Sequence, residues 1–208
     1  MATKKLSPEE KLVSAALAAI EKSGWKSLSL TALARKAKID AATLYELCPD
    51  KRALLALIAK RVDIGLIERA PEPDPDIPPR DRAFDAILSC FEAMGPLKPA
   101  IQIIYDDGAG DPAAFLDVLP ATVRSAQWVA DIAGLPTSGW RGLLVTRGIG
   151  FLLAESIGVW LTDGDDLAKT MAHVDRRLRT IEEWMETLQR ARTGADSDDG
   201  AEAPAAAD

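Results

Sequence analysis

Histidine occurs once in this 208-residue sequence, at His173, and cysteine twice, at Cys48 and Cys90. One imidazole cannot build a histidine-rich metal site or serve most general-base schemes. Two thiols make no disulfide framework and fit a reducing cytoplasm. Long apolar runs are also missing. The most apolar stretch, Leu143 to Leu161, contains Arg147 and Glu155, and falls short of the ~20 apolar residues that span a bilayer. The opening MATKKLSPEE has no signal-peptide apolar region. No segment carries the period-two alternation of a half-buried strand. Asp106–Asp107 has no neighbouring histidine or third carboxylate, so it reads as a solvated turn. No enzyme constellation, metal site or cofactor is expected.

What is present is a foldable, charged chain, 48% hydrophobic and 27% charged. Its 25 Lys plus Arg against 32 Asp plus Glu leave a net charge of −7, which taken alone argues against nucleic acid. The distribution reverses that impression. Residues 1–62 hold 12 basic and six acidic side chains, a net +6, and the remainder holds 13 basic and 26 acidic, a net −13. A basic segment joined to an acidic body suits an anionic partner for the first part only.

Helical signals run through the chain. Ser7-Pro8-Glu9-Glu10 supplies an N-cap serine, a proline at the first helical position and a capping-box glutamate. Val13, Leu17 and Ile20 follow at helical spacing, and Gly24 suits the stop. Trp25 and Leu28 read as loop anchors. Ser29 caps a short helix through Ala37, Asp40 a third over Ala41 to Leu47, and Asp50 a fourth to about Arg69. Residues 70–80 contain five prolines and form a semi-rigid connector. Helices are then expected over 81–94, just after Pro99, over 112–133 with Pro120 inside, over 140–161 and over 165–192. The fourth of these carries Gly148, Gly150 and Gly158, which calls for close helix approach or space for a ligand. The last carries Leu167, Met171, Val174, Leu178, Ile181, Met185 and Leu188, an unbroken a/d seam. Residues 193–208 are acidic and alanine-rich, and read as a disordered tail.

The helix pair 30–37 and 41–47 is a helix-turn-helix candidate. The string from Leu30 to Leu55, above all Thr43-Leu44-Tyr45 followed by Lys51 and Ala53-Leu54-Leu55, resembles the DNA-binding domain of the TetR (tetracycline repressor) family. That resemblance implies an all-α fold with three divisions. These are a three- or four-helix DNA-binding domain over 1–69, an effector-binding and dimerisation domain over 81–192, and the 193–208 tail. It also implies a cytoplasmic, ligand-responsive repressor with a double-stranded DNA operator and a small apolar effector or lipid. The homodimer would form through the last two helices. Thr31, Ala41, Ala42, Thr43, Tyr45 and Lys51 become the candidate DNA contacts, with Lys4 and Lys5 as an arm. Phe91, Tyr105, Trp128, Phe151 and Glu155 become the candidate pocket lining.

Three departures stand out. Lys38 occupies a turn position where that family usually has glycine, and Cys48 replaces the usual aromatic. The third helix has no Arg, Lys, Asn or Gln, the side chains that bind base edges strongly, and instead carries Glu46. A second resemblance runs from Val159 to Met171 and over Asp175-Arg-Arg-Leu178. It is to the last helices of TetR-like lipid-binding accessory proteins of ubiquinone biosynthesis, and implies a lipid partner with little or no DNA binding.

Overall fold

A computed structural model describes residues 6–70, 72–110 and 112–198, and side chains within 112–115 and 184–198 lie outside that description. Among the described residues there are nine α-helices and no strand. They are α1 (Pro8–Ser23), α2 (Leu30–Ala37), α3 (Ala41–Leu47), α4 (Lys51–Ile67), α5 (Pro79–Met94), α6 (Lys98–Gly108), α7 (Pro112–Ile132), α8 (Gly139–Leu161) and α9 (Ala168–Asp198), with a 3₁₀ turn at Gly95–Leu97.

The four N-terminal helices start where their caps dictate. Ser7 and Glu10 form a reciprocal capping box, and Ser29, Asp40 and Asp50 each accept a backbone N–H of the first turn. α1 buries Leu12, Val13, Ala16, Leu17 and Ile20. Leu33 of α2 and Leu54, Ile58, Val62 and Leu66 of α4 join them in the core. α4 also packs along α7 and α5, so it belongs to both halves of the molecule.

In the second half, α5 packs on α7 and α9, α7 on α8, and α8 on α9. Trp160 and Phe91 are fully buried with ring centroids 5.8 Å apart, and Lys98 lies 5.1 Å over the Trp160 ring. The glycines of α8 serve different ends. A Cβ on Gly150 would touch Ala126 of α7 and one on Gly158 would crowd the Tyr105 hydroxyl, whereas Gly148 faces nothing. By length and composition α8 could cross a membrane, yet it buries Ile149, Leu152, Leu153 and Trp160 against its neighbours.

Two sequence expectations change here. α9 continues to Asp198, past the expected end near 192; the rest of the expected tail, 199–208, and Lys4 and Lys5 lie outside the described residues. The a/d seam is split: Val174 and Leu178 are buried, but Met171 and Ile181 are exposed. Thr170 is buried beside the inward pair, so the seam straddles the edge between core and surface. Met185 and Leu188 are among the side chains not described.

Candidate functional site

The α2–α3 pair is built by local chemistry. Lys38 closes α2 in the left-handed region (φ 56°, ψ 49°), a conformation that costs a non-glycine residue about 1–2 kcal/mol. Asp40 then caps α3 twice: Oδ1 accepts the Thr43 amide at 3.0 Å and Oδ2 accepts the Thr43 hydroxyl at 2.8 Å. The Thr43 amide, then its hydroxyl, hold the Asp40 carboxyl below the usual carboxylate range. α3 buries no residue fully. Leu44 and Leu47 rest against the core, and Ala41, Ala42, Tyr45 and Glu46 face solvent, Tyr45 at 75% exposure. Thr31 is exposed at the start of α2, within 3.0 Å of the Ser29 hydroxyl. Lys36 and Lys38 are exposed with no partner among the described residues. The position where an aromatic was expected is filled by buried Cys48, whose thiol burial, then the Asp50 charge, push up to about 11.

Lys51 stands elsewhere than the sequence suggested. Its ammonium turns back onto the α1–α2 loop, donating to the carbonyls of Trp25 (3.1 Å) and Lys26 (3.0 Å), and sits 5.4 Å over the Trp25 ring. It braces the helix-turn-helix from within. The amides of the same two residues donate to Asp107 Oδ2 of α6 at 2.8 and 3.1 Å. Asp107 thus ties the first half of the molecule to the second.

Two more links cross between the halves. Arg52 pairs with Asp117 of α7 at 2.5 Å. Buried Asp63 of α4 accepts the Ser125 hydroxyl at 2.5 Å and Arg124 Nε at 3.3 Å, while Arg124 Nη2 donates to the Ala56 carbonyl. Burial raises the Asp63 carboxyl above its usual range, against the opposing pull of Ser125 and Arg124. No periodicity singles these residues out, since each is an ordinary polar residue on a helix until α4, α6 and α7 meet.

A half-open cavity of about 810 Å³ lies where these links converge, bounded by the α1–α2 loop, α4, α6, α7 and α8. An inner chamber of about 140 Å³ adjoins it. Of the candidate lining residues, Tyr105 borders the outer space and Phe91 the inner one. Trp128, Phe151 and Glu155 border neither. Trp128 and Phe151 point outward, Phe151 at 65% exposure. Glu155 joins α8 to α9 through Arg177, with Nη2–Oε2 at 2.5 Å, and lies 3.3 Å from His173. Among the lining residues that the sequence did not assign to a pocket are Trp25, Lys26, Asp107 and Asp117. Among the described residues no group of metal-ligating side chains gathers.

No protein-family model matches the chain, and no curated protein matches it. Solved structures do. A TetR transcriptional regulator from Nitrosomonas europaea ATCC 19718 superposes with a TM-score of 0.61 at 14% identity, over 86% of this chain and 99% of its own. A TetR transcriptional regulator from Rhodococcus sp. RHA1 gives 0.59 at 14% identity, over 83% and 94%. At such identity the likeness is one of fold, and the fold is the TetR-like all-α arrangement.

Proposed function

We propose that this chain, with its TetR-like fold, is a DNA-binding transcriptional regulator: a cytoplasmic homodimer that represses from an operator and responds to a small apolar effector or lipid. The observation that carries the reading is the pairing of a basic helix-turn-helix with a half-open cavity through shared braces. The +6 segment attracts phosphates. Lys36 and Lys38 stand free beside α3. Ala41, Ala42 and Tyr45 form the surface offered to the major groove, where alanine can meet a thymine methyl.

Dimerisation through α8 and α9 is supported by what they leave uncovered. Trp140 (62%), Leu144 (63%) and Phe151 (65%) on α8, with Met171 and Ile181 on α9, are large apolar side chains in water, as expected of an association surface. In a dimer, an effector that favours one spacing of the two α3 helices shifts the population that fits successive major grooves.

Selection of the full chain against a random duplex pool tests the reading. Enrichment of an inverted repeat, with retention that falls steeply as salt rises, is expected. No enriched sequence and no salt dependence would reject it.

One observation favours a second reading, a lipid-binding accessory protein of ubiquinone biosynthesis with little DNA binding. The exposed face of α3 consists of Ala41, Ala42, Tyr45 and Glu46, with no strong base-reading side chain. Native mass spectrometry of freshly purified protein separates the two readings. Copurified lipid without an enriched duplex supports the accessory role, and an enriched duplex without lipid removes it.

A further inference from the structure

The cavity has two adjoining chambers, which share Leu55, Ile101, Ile104, Val118, Thr122 and Ile157 in their lining. Its combined size suits a ligand of ordinary small-molecule dimensions. The inner end is bordered by Ile58, Val62, Phe91, Met94 and Leu153. The hydroxyls there are already committed, Ser125 to Asp63 and Thr122 to the Val118 carbonyl. Burial, then the Asp63 charge, push the Cys90 thiol up to about 12, which keeps it neutral. This end offers a ligand apolar contact and nothing else.

The mouth is different. Lys26, Lys51, Asp107 and Asp117 border it. Asp117 is neutralised by Arg52. Lys51 is hydrogen-bonded only to carbonyls, so its charge is not cancelled by a carboxylate. The Lys26 ammonium has no partner among the described residues. Two successive amides, of Trp25 and Lys26, converge on a single oxygen of Asp107. They make a site for a carboxylate that the chain fills with its own side chain; with Asp117 set against Arg52, the two lysines Lys26 and Lys51 face one remaining carboxylate, Asp107.

We infer that the cavity takes an amphiphile with a single anionic head, of the medium-chain fatty carboxylate class. Its tail lies in the inner chamber and its head takes the place of the Asp107 carboxylate on the Trp25 and Lys26 amides. The inference rests on the effector reading above and gives that effector a chemical class. It also supplies a route to the DNA-binding half. A second carboxylate at the amides repels Asp107 and frees the α1–α2 loop from α6.

The test titrates dodecanoate and dodecyltrimethylammonium, each below its micelle concentration, into the full chain by calorimetry. Dodecanoate is expected to bind more tightly by about tenfold or more, the worth of one charge-assisted hydrogen bond. Asp107→Asn, which removes the competing charge, tightens dodecanoate; Lys26→Glu, at an exposed position that leaves the fold intact, weakens it. Equal or tighter binding of the ammonium compound, no response to Lys26→Glu, or no binding of either compound overturns the inference. Retention of the selected duplex is read in parallel. Dodecanoate that binds without releasing DNA leaves the ligand class standing and fails the effector reading. Duplex binding without dodecanoate affinity fails the ligand class alone.

Discussion

The α1–α4 unit and the α5–α9 body are held together by different means. Every helix of the first has an N-cap side chain that accepts a first-turn amide: Ser7, Ser29, Asp40 and Asp50. In the body, α5, α6 and α8 have no side-chain cap bond. For α2 and α3, length explains the need for caps. α2 and α3 have eight and seven residues, too few to form in water unaided, and α3 buries none of them completely. Caps satisfy the orphan amides that burial would otherwise have to offset. α8 has 23 residues and α5 has 16, and they bury Trp160 and Phe91. A helix as exposed as α3 has no core to hold it, so it is stabilised locally.

The contrast can be broken or sharpened by substitution. The largest effect is expected from Trp160→Ala, which empties the centre of the body and costs about 3–5 kcal/mol, read as the loss of the cooperative transition in urea. A cap deletion in the first unit should cost less. Asp50→Ala removes the acceptor of the Ala53 amide and is expected to cost about 1 kcal/mol. If it cost as much as Trp160→Ala, the division between capped unit and packed body would fail.

Lys38→Gly should move the other way. It relieves the left-handed backbone and raises stability by about 0.5–1 kcal/mol once the extra entropy of glycine is subtracted. The same change removes a cation from the edge of the helix-turn-helix. Thermal midpoint should therefore rise while the salt slope of duplex binding falls by about one unit per lost phosphate contact.

The smallest effect is a pH dependence confined to α3. The folded pKa of Asp40 is depressed. Its contribution to stability is therefore present above the unfolded carboxylate pKa and lost as pH falls through the folded one. Loss of helical signal as pH falls below the ordinary carboxylate range, before the body unfolds, is expected in the native chain, and its onset should shift in Asp40→Asn, which cannot titrate. A coincident loss of both regions in each protein would place the weakness elsewhere.

Much of the fold was legible because caps, prolines and glycines act within a few residues of where they stand. Ser7, Ser29, Asp40 and Asp50 begin helices for reasons contained in the next turn, and the basic bias of 1–62 needs only counting. The site was less legible. Phe151 and Trp128, apolar enough for a pocket lining, point outward. Asp107, which reads as a solvated turn, instead accepts two amides of the α1–α2 loop. Lys51 turns inward to the carbonyls of those same two residues.

By itself, then, the sequence determined the helices, the capped starts of α1 to α4 and the split of charge between a basic unit and an acidic body. Each depends on short-range sterics, capping or composition. Only the tertiary structure decided which polar side chains join the two parts, where the cavity opens and which apolar faces stay exposed. Those follow from the meeting of α4, α6, α7 and α8, whose contacting residues lie tens of positions apart along the chain, beyond the reach of any local pattern.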